Sequence, residues 1–209
     1  MKIRDQHFFP INLKIKYLVI GLILFAFIVL ILNSSNSSNS DEDLNFNKRF
    51  RVGGGKNVEL INLNELFHIG DCLLKQSASR IVKIRIDSLN NKQMEFDHKK
   101  DDDSVVTTAD LESHNIIVHS LKDKYRNLVV KSEENTNDES FDSSVYLRKC
   151  DTYTKKSDDK YASVNDLIVY IDPLDATQEY SENLVDYVTV MFCLVDKGVP
   201  RAGMLILNF

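Results

Sequence analysis

Two aspartates three residues apart, Asp172 and Asp175, stand in the stretch IDPLDAT. Pro173 lies between them, and because proline has no N–H to give to a β-ladder, we expect the buried strand before it to end and the chain to turn after Asp172. Such a turn brings both carboxylates and the Leu174 carbonyl to one place. Hard oxygen ligands of this kind are typical of a magnesium site.

The residues that follow this turn favour phosphate binding. Ala176 and Thr177 are expected to open a short helix that runs through Tyr180, and the free N–H groups at a helix start attract anions. Two close aspartates repel each other, and a divalent cation relieves that repulsion. The alternative is an ordinary helix cap, a role that Asp175 fills alone.

Further acidic residues stand at the ends of two other predicted elements. Thr107 and Thr108 are cap candidates for a helix with Asp110 in its first turn, where interaction with the helix dipole is the alternative to catalysis. A short strand in NLVVKSEEN ends in Glu133 and Glu134, just as the strand in DLIVYIDP ends in an aspartate. Acids therefore gather at strand ends.

The elements that must position these acids alternate between helix and strand. A long first helix begins after the cap residue Asn62, with Glu65 three residues on, and is expected to reach about Ile86. A polar loop, NNKQMEFDHKKDDD, follows it, and a hairpin is predicted at Lys197-Gly198. This order implies α/β or α+β layering. Residues predicted to share one face of the second helix are Leu111, His114, Val118, Leu121 and Tyr125.

Neither the cysteines nor the histidines indicate a second kind of site. Cys72, Cys150 and Cys193 are far apart and odd in number, so we expect no disulfide framework. His114 and His119 are five residues apart, which does not align them on one face of an α-helix. We expect both histidines to be structural or surface residues.

The composition bounds the function. The chain has 209 residues, 43% of them hydrophobic, which is enough for one core, and its formal net charge is −5. Nucleic acids are bound chiefly by accumulated Lys and Arg, so a general nucleic-acid binder is not expected. An anionic ligand would need cations to mediate its binding.

The N-terminal region predicts a membrane segment. Residues 17–32 are an unbroken apolar run with a basic flank before it and acidic residues after it, which places the N-terminus in the cytosol. We expect residues 1–16 to be a cytosolic tail, 17–32 a signal anchor, 33–57 a flexible luminal stem and 58–209 the folded domain. The run is short for a bilayer span, so a cleaved signal peptide is the alternative.

Three motifs occur in order and together resemble the inositol monophosphatase-like phosphatases, which are magnesium-dependent and lithium-sensitive. They are VVTTAD ending at Asp110, SEEN with Glu133 and Glu134, and IDPLDAT. Alanine after the second aspartate and the membrane segment make the Golgi-resident branch, which hydrolyses 3'-phosphoadenosine 5'-phosphate, the most similar. The implied fold is a layered α/β sandwich with an N-terminal helix pair and an antiparallel sheet.

The resemblance also implies roles for individual residues. Asp110 and Thr177 would orient the attacking water, and the amides of Ala176 and Thr177 would hold the phosphate. Two or three Mg²⁺ ions are implied, with Asp172 bridging two of them. The implied metal ligands are Glu133, Asp172, Asp175 and the carbonyl of Leu174.

The expected activity is removal of the 3'-phosphate of 3'-phosphoadenosine 5'-phosphate, giving AMP, in the Golgi lumen. The partners are then a small phosphate ester and the membrane, with no nucleic acid, and a homodimer is compatible with the resemblance. An inositol phosphate substrate and a catalytically inactive, membrane-tethered product are the alternatives. Family members continue through a second α/β half with a third metal-binding aspartate and the nucleotide pocket. Because the sequence ends at Phe209, we expect an incomplete chain that binds the second metal poorly.

Overall fold

The computed structural model describes residues 58–91, 96–98, 105–134 and 140–207. Within these ranges, no helix is both long enough and apolar enough to cross a membrane. The predicted anchor at residues 17–32, its flanking tail and stem, and the acidic triplet at residues 101–103 lie outside the described residues.

A short strand, β1 (Leu60–Asn62), leads directly into the long first helix, α1 (Leu63–Asn91). The side-chain oxygen of Asn62 accepts hydrogen bonds from the N–H groups of Asn64 and Glu65, at 3.0 and 3.2 Å, so the predicted cap is confirmed. The helix ends at Asn91 rather than near Ile86.

Helix α1 approaches the sheet at a glycine. A Cβ atom on Gly70 would lie 2.8 Å from the Met204 side chain and 3.2 Å from the Phe192 ring. One turn earlier, the Phe67 ring packs edge-on against Phe192 with centroids 5.9 Å apart. The absence of a side chain at Gly70 therefore sets the spacing between helix and sheet.

The second helical segment follows a two-stranded ribbon. Strand β2 (Phe96–His98) lies within the predicted polar loop, which is therefore wrong at these residues, and pairs antiparallel with β3 (Val105–Thr107). Helix α2 (Thr108–His114), a π-helical turn (Asn115–His119) and helix α3 (Ser120–Lys124) then form one continuous rod.

The buried face of this rod differs from the predicted one at a single position. Leu111 is 37% exposed, whereas the other four residues of the predicted face are buried. Before the π turn the buried face runs through Ala109, Ser113 and His114, which leaves Leu111 to one side.

The main sheet has four strands in the order β4-β6-β7-β8. Strand β4 pairs parallel with β6, and the other two pairs are antiparallel. The sheet is therefore mixed, whereas the family resemblance implied an antiparallel sheet. Lys197 and Gly198 join β7 to β8 with φ angles of 52° and 75°, the positive values of a type I′ turn, and the predicted hairpin is confirmed. The strands are β4 (Val129–Ser132), β6 (Leu167–Asp175), β7 (Thr189–Asp196) and β8 (Val199–Leu207).

Strand β6 does not end before the proline, so the predicted turn after Asp172 is wrong. Asp172 pairs with Met191 and Asp175 with Thr189, which gives β6 one more residue than β7 over this interval. This extra residue is a β-bulge, and a bulge tolerates proline because its residues need not donate to the ladder. The strand therefore bends at the two aspartates instead of stopping.

The remaining elements cover the end of the sheet and the first helix. Helix α4 (Ser144–Cys150) packs on α1, and β5 (Tyr161–Ser163) pairs antiparallel with β1. Short 3₁₀ turns occur at Val164–Asp166 and Val185–Tyr187, and helix α5 (Thr177–Ser181) follows β6. The core between helices and sheet includes the fully buried side chains of Leu66, Ile69, Leu73, Ile117, Leu121, Ile171 and Phe192.

A disulfide joins α1 to α4, contrary to the expectation from cysteine number. Cys72 and Cys150 are 78 positions apart in sequence, and their Cα atoms lie 5.6 Å apart because the two helices pack side by side. Cys193 is free and buried in β7. The three cysteines are therefore one disulfide pair and one free cysteine in the core.

Candidate active site

Asp110 closes the capping box of helix α2. Its Oδ2 atom accepts hydrogen bonds from the Thr107 N–H, at 2.7 Å, and from the Thr107 hydroxyl, at 2.5 Å. The Thr107 hydroxyl oxygen in turn accepts from the Ala109 N–H at 3.2 Å. Asp110 is only 1% exposed, so this oxygen is committed to the start of the helix.

The second oxygen of Asp110 faces a different element. The Thr177 hydroxyl donates to Asp110 Oδ1 at 2.8 Å, and the Leu174 carbonyl is its alternative acceptor at 3.1 Å. Burial raises the pKa of Asp110, and this effect outweighs the opposing hydrogen bonds from Thr107 and Thr177. Asp110 is therefore a carboxylate inclined to accept a proton, with one hydroxyl group in contact with it.

The backbone between β6 and α5 aims Thr177 at Asp110. Ala176 has φ 65° and ψ 47°, a left-handed conformation that costs an alanine about 1 kcal/mol. The turn places Thr177 as the first residue of α5. Burial raises the pKa of Asp175, and a hydrogen bond from the Ala176 N–H to its carboxylate opposes this effect.

Asp172 is the most deeply buried acid of the bulge. It is 3% exposed, and among the described residues no group donates to its Oδ1 atom. Its pKa is raised well above the usual range, chiefly by burial and then by the charges of Glu133 and Asp175. A buried carboxylate oxygen without a partner is unfavourable unless a cation or proton meets it.

Glu133 reaches this acid because β4 and β6 run parallel. Ser132 is in register with Ile171, and the Glu133 N–H donates to the Ile171 carbonyl at 3.1 Å. The next residues along the two strands, Glu133 and Asp172, therefore meet at the same edge of the sheet. Their proximity is reflected in the pKa of Asp172, which Glu133 raises by charge and by a shared hydrogen bond.

Asp175 occupies the far side of the bulge. Burial raises its pKa, while the Thr189 hydroxyl, 3.4 Å from Asp175 Oδ2, acts in the opposite direction. Glu133 also raises the pKa of Asp175. The charge of Glu133 thus acts on both aspartates at the end of the sheet.

The donors present fit a magnesium ion better than a metal that needs a closed cage. In the part of the chain that the structure describes, no three His, Cys, Asp or Glu side chains gather closely enough to enclose an ion. Mg²⁺ prefers oxygen ligands and typically keeps several waters, with only one or two carboxylates and the substrate phosphate supplied. The unpartnered oxygen of Asp172 and the flanking acids match that requirement.

The structure thus brings the predicted site residues into one region. The Thr177 hydroxyl lies within hydrogen-bond distance of both Asp110 and the Leu174 carbonyl. The charge of Glu133 adds to the effect of burial in raising the pKa values of Asp172 and Asp175. Glu134, the second acid of the Glu133–Glu134 pair, is buried.

Two serines that support the bulge were missed by the sequence analysis. The Ser113 hydroxyl donates to the Pro173 carbonyl at 2.6 Å, and Ser77 lies 2.5 Å from Ser113. Both serines are fully buried. No motif marks them, because buried serines have no sequence signature apart from interrupting an apolar helix face, and here they hold the carbonyl between the two aspartates.

A protein-family comparison identifies the class of the chain. Residues 64–207 match the model of the inositol monophosphatase family, so the chain belongs to this family of phosphatases. The match extends from the start of α1 to the end of β8 and includes every element that contributes to the site.

Two relatives carry different names. Inositol monophosphatase 3 of Danio rerio is 33% identical over 147 residues, which are 69% of this chain and 43% of that protein. The Golgi-resident adenosine 3',5'-bisphosphate 3'-phosphatase of Mus musculus is 26% identical over 69% of this chain and 41% of its own length. The chain therefore spans less than half the length of the relatives it matches.

A solved structure is also similar. The lithium chloride-soaked inhibitory complex of Staphylococcal inositol monophosphatase-1 is 15% identical, with a TM-score of 0.47, over 69% of this chain and 44% of that chain.

Proposed function

We propose that the protein is a Mg²⁺-dependent phosphatase that removes the 3'-phosphate of 3'-phosphoadenosine 5'-phosphate, releasing AMP and phosphate. The observation that carries this proposal is the unpartnered Oδ1 atom of Asp172, buried beside the charges of Glu133 and Asp175. Membership of a phosphatase family supplies the reaction class.

The proposed metal ligands are Asp172, Asp175, Glu133 and the Leu174 carbonyl, divided among two or three Mg²⁺ ions so that each ion needs only one or two carboxylates. A divalent cation bound there would neutralise charge on the phosphoryl group and increase the acidity of water. Without it, burial and then the charge of Glu133 raise the pKa values of Asp172 and Asp175. Binding would therefore relieve a strain that is present in the folded chain.

Thr177 and Asp110 would handle the proton of the attacking water. Because the Thr177 hydroxyl donates to Asp110, its lone pairs remain available to accept a proton from water. Water oxygen forms a bond to phosphorus as the bond to the 3'-oxygen breaks. One water proton would pass through Thr177 to Asp110, the other would stay on the released phosphate, and the leaving 3'-oxygen would take up a proton from the solvent.

The amides of Ala176 and Thr177 are proposed to hold the phosphate. Helix α5 has only five residues, so its dipole contributes little, and individual N–H groups must make the contacts. The Ala176 N–H currently contacts Asp175. This amide would become available if Asp175 turned towards a bound cation.

An inositol phosphate is the second candidate substrate. The 33% identity to a protein named inositol monophosphatase 3 favours it, and the groups described here recognise metal and phosphate rather than the leaving group. The nucleotide is preferred because alanine follows the second aspartate in DPLDAT, as in the branch that the motif resembles.

Phosphate release by the purified protein tests the proposal. We expect Mg²⁺-dependent release from 3'-phosphoadenosine 5'-phosphate, a higher kcat/KM than for inositol 1-phosphate, and loss of release in Asp172→Asn. Asp158→Asn, which changes an exposed aspartate, is the matched control and should remain active. Equal release by wild type and Asp172→Asn would refute the proposed site, whereas a preference for the inositol phosphate would change only the substrate.

The site is proposed to lie in the Golgi lumen, behind a single-pass anchor at residues 17–32. The Cys72–Cys150 disulfide supports an oxidising compartment, because cytosolic thiols are kept reduced. In sealed microsomes, the folded domain should resist added trypsin until detergent is present. Digestion without detergent would place it on the cytosolic side.

A further inference from the structure

His114 makes a hydrogen bond to Ser132, the residue that precedes Glu133. His114 is 3% exposed, and its Nδ1 atom lies 2.9 Å from the Ser132 hydroxyl. Burial lowers the pKa of His114 to about 4, with smaller contributions from His119 and Lys122. The ring is therefore neutral near pH 7, and one hydrogen bond fixes its relation to β4.

The π-helical turn determines where this ring lies. The turn begins directly after His114 and brings His114 and His119, five residues apart, into an edge-on contact with centroids 6.1 Å apart. The expectation that these two residues share no helical face is therefore wrong, because the turn has the i to i+5 repeat of a π-helix. His119 in turn packs against Phe141. The Phe141 ring therefore contacts the histidine pair through His119.

Ser132 is the last residue of β4 and immediately precedes Glu133. It is in register with Ile171, and the next residues along the two strands are Glu133 and Asp172, which interact electrostatically. Strand β4 is at the edge of the sheet and has only four residues, so few ladder hydrogen bonds define its end. A side-chain contact at Ser132 therefore has a direct effect on where Glu133 points.

We propose that His114 is a positioning residue, which through Ser132 fixes the end of β4 so that Glu133 faces Asp172 and completes the cation site. This inference rests on the proposed function, since it assigns a support to the same site. Neither residue touches the cation or the substrate in this account. Groups that orient metal ligands in this way typically change metal affinity 10–100-fold when they are removed.

A set of matched variants tests the role through Mn²⁺ binding to the full chain, measured by electron paramagnetic resonance. His114→Asn keeps a hydrogen-bonding atom at the Nδ1 position, whereas His114→Gln places it at the Nε2 position. We expect His114→Gln and Ser132→Ala each to weaken Mn²⁺ affinity about 10-fold or more. The Mn²⁺ affinity of His114→Asn should stay within about 3-fold of wild type. The double variant His114→Gln/Ser132→Ala should lose no more Mn²⁺ affinity than either single variant.

His119→Gln is the control for a general effect on the π turn and should leave Mn²⁺ affinity unchanged. Thermal unfolding without metal separates positioning from folding, because a purely structural role would lower the melting temperature of both His114 variants and of His119→Gln alike. Unchanged affinity in His114→Gln and Ser132→Ala, or fully additive losses, overturns the inference while Asp172→Asn still abolishes binding. If Asp172→Asn also binds Mn²⁺ normally, or wild type shows no saturable binding, the proposed function fails with it.

Discussion

The Thr177 hydroxyl donates a 2.8 Å hydrogen bond to one oxygen of Asp110, while the other oxygen of Asp110 closes the capping box at Thr107. At the level of sequence, interaction with the helix dipole was the alternative to catalysis at Asp110. In the structure, helix capping and the contact with Thr177 use different oxygen atoms of this carboxylate, so the proposed proton path does not compete with the cap. Each role can therefore be tested by changing its own threonine.

Replacing Thr177 tests the proton path. Thr177→Val has nearly the same shape but no hydroxyl, so we expect kcat to fall about 100-fold or more, in the range of general acid–base catalysis. Thr177→Ser keeps the donor and should retain most activity. The measurement is phosphate release under saturating Mg²⁺, with Thr107→Ser as a control at the capping oxygen. Comparable kcat values for the valine and serine variants would exclude the proposed path.

Asp172→Asn should stabilise the metal-free protein. The folded state raises the pKa of Asp172, so near pH 7 the folded chain bears the cost of a buried charge or a retained proton, and stability falls as pH rises. Asparagine bears neither cost, so Asp172→Asn should increase the free energy of unfolding in urea and EDTA by roughly 1–2 kcal/mol. With Mn²⁺ at about 100 times its Kd, wild type alone should gain about 3 kcal/mol. A variant less stable than wild type in EDTA would argue against this electrostatic account.

The disulfide between Cys72 and Cys150 should contribute substantially to stability. It closes a long loop, since the two cysteines are 78 positions apart in sequence, and chain entropy predicts about 4.5 kcal/mol for a loop of this length. Reduction with dithiothreitol should therefore lower the free energy of unfolding of wild type. The double variant Cys72→Ser/Cys150→Ser should already be destabilised and should not respond further to the reductant. An identical response of both proteins would show that the bridge is not formed.

The buried His114 predicts an acid-sensitive stability. Its pKa is about 4 in the folded chain and about 6.5 when unfolded, so between these values the unfolded chain binds more protons. Stability must then fall as pH decreases through this window. Between about pH 7 and about pH 4.5, wild type should lose roughly 2 kcal/mol more than His114→Asn, which does not titrate. Parallel pH profiles for the two proteins would contradict this prediction.

Features set by local chemistry could be predicted from the sequence. Asn62 caps α1 through its own side chain, and Lys197-Gly198 forms a two-residue turn because both residues adopt positive φ. Glu133, Asp172 and Asp175 were predicted to gather because they stand at strand ends and belong to ordered motifs. Their convergence follows from the parallel pairing of β4 and β6.

Features that depend on tertiary packing could not be predicted in this way. Pro173 ends a regular strand, but a bulge supported by Ser113 allows β6 to continue past it. Cysteine number does not reveal that α1 and α4 pack with Cys72 opposite Cys150. Likewise, residues five apart such as His114 and His119 lie on different faces of an α-helix, but the π turn brings their rings into contact.

The central claim is that the acids at the end of β6 hold a divalent cation. Crystals of the protein soaked in manganese chloride, with diffraction collected at the manganese absorption edge, test it most directly. We predict an anomalous peak within coordination distance of the Asp172 carboxylate, flanked by Asp175 and Glu133. Manganese sites elsewhere with no peak beside Asp172 would contradict the account.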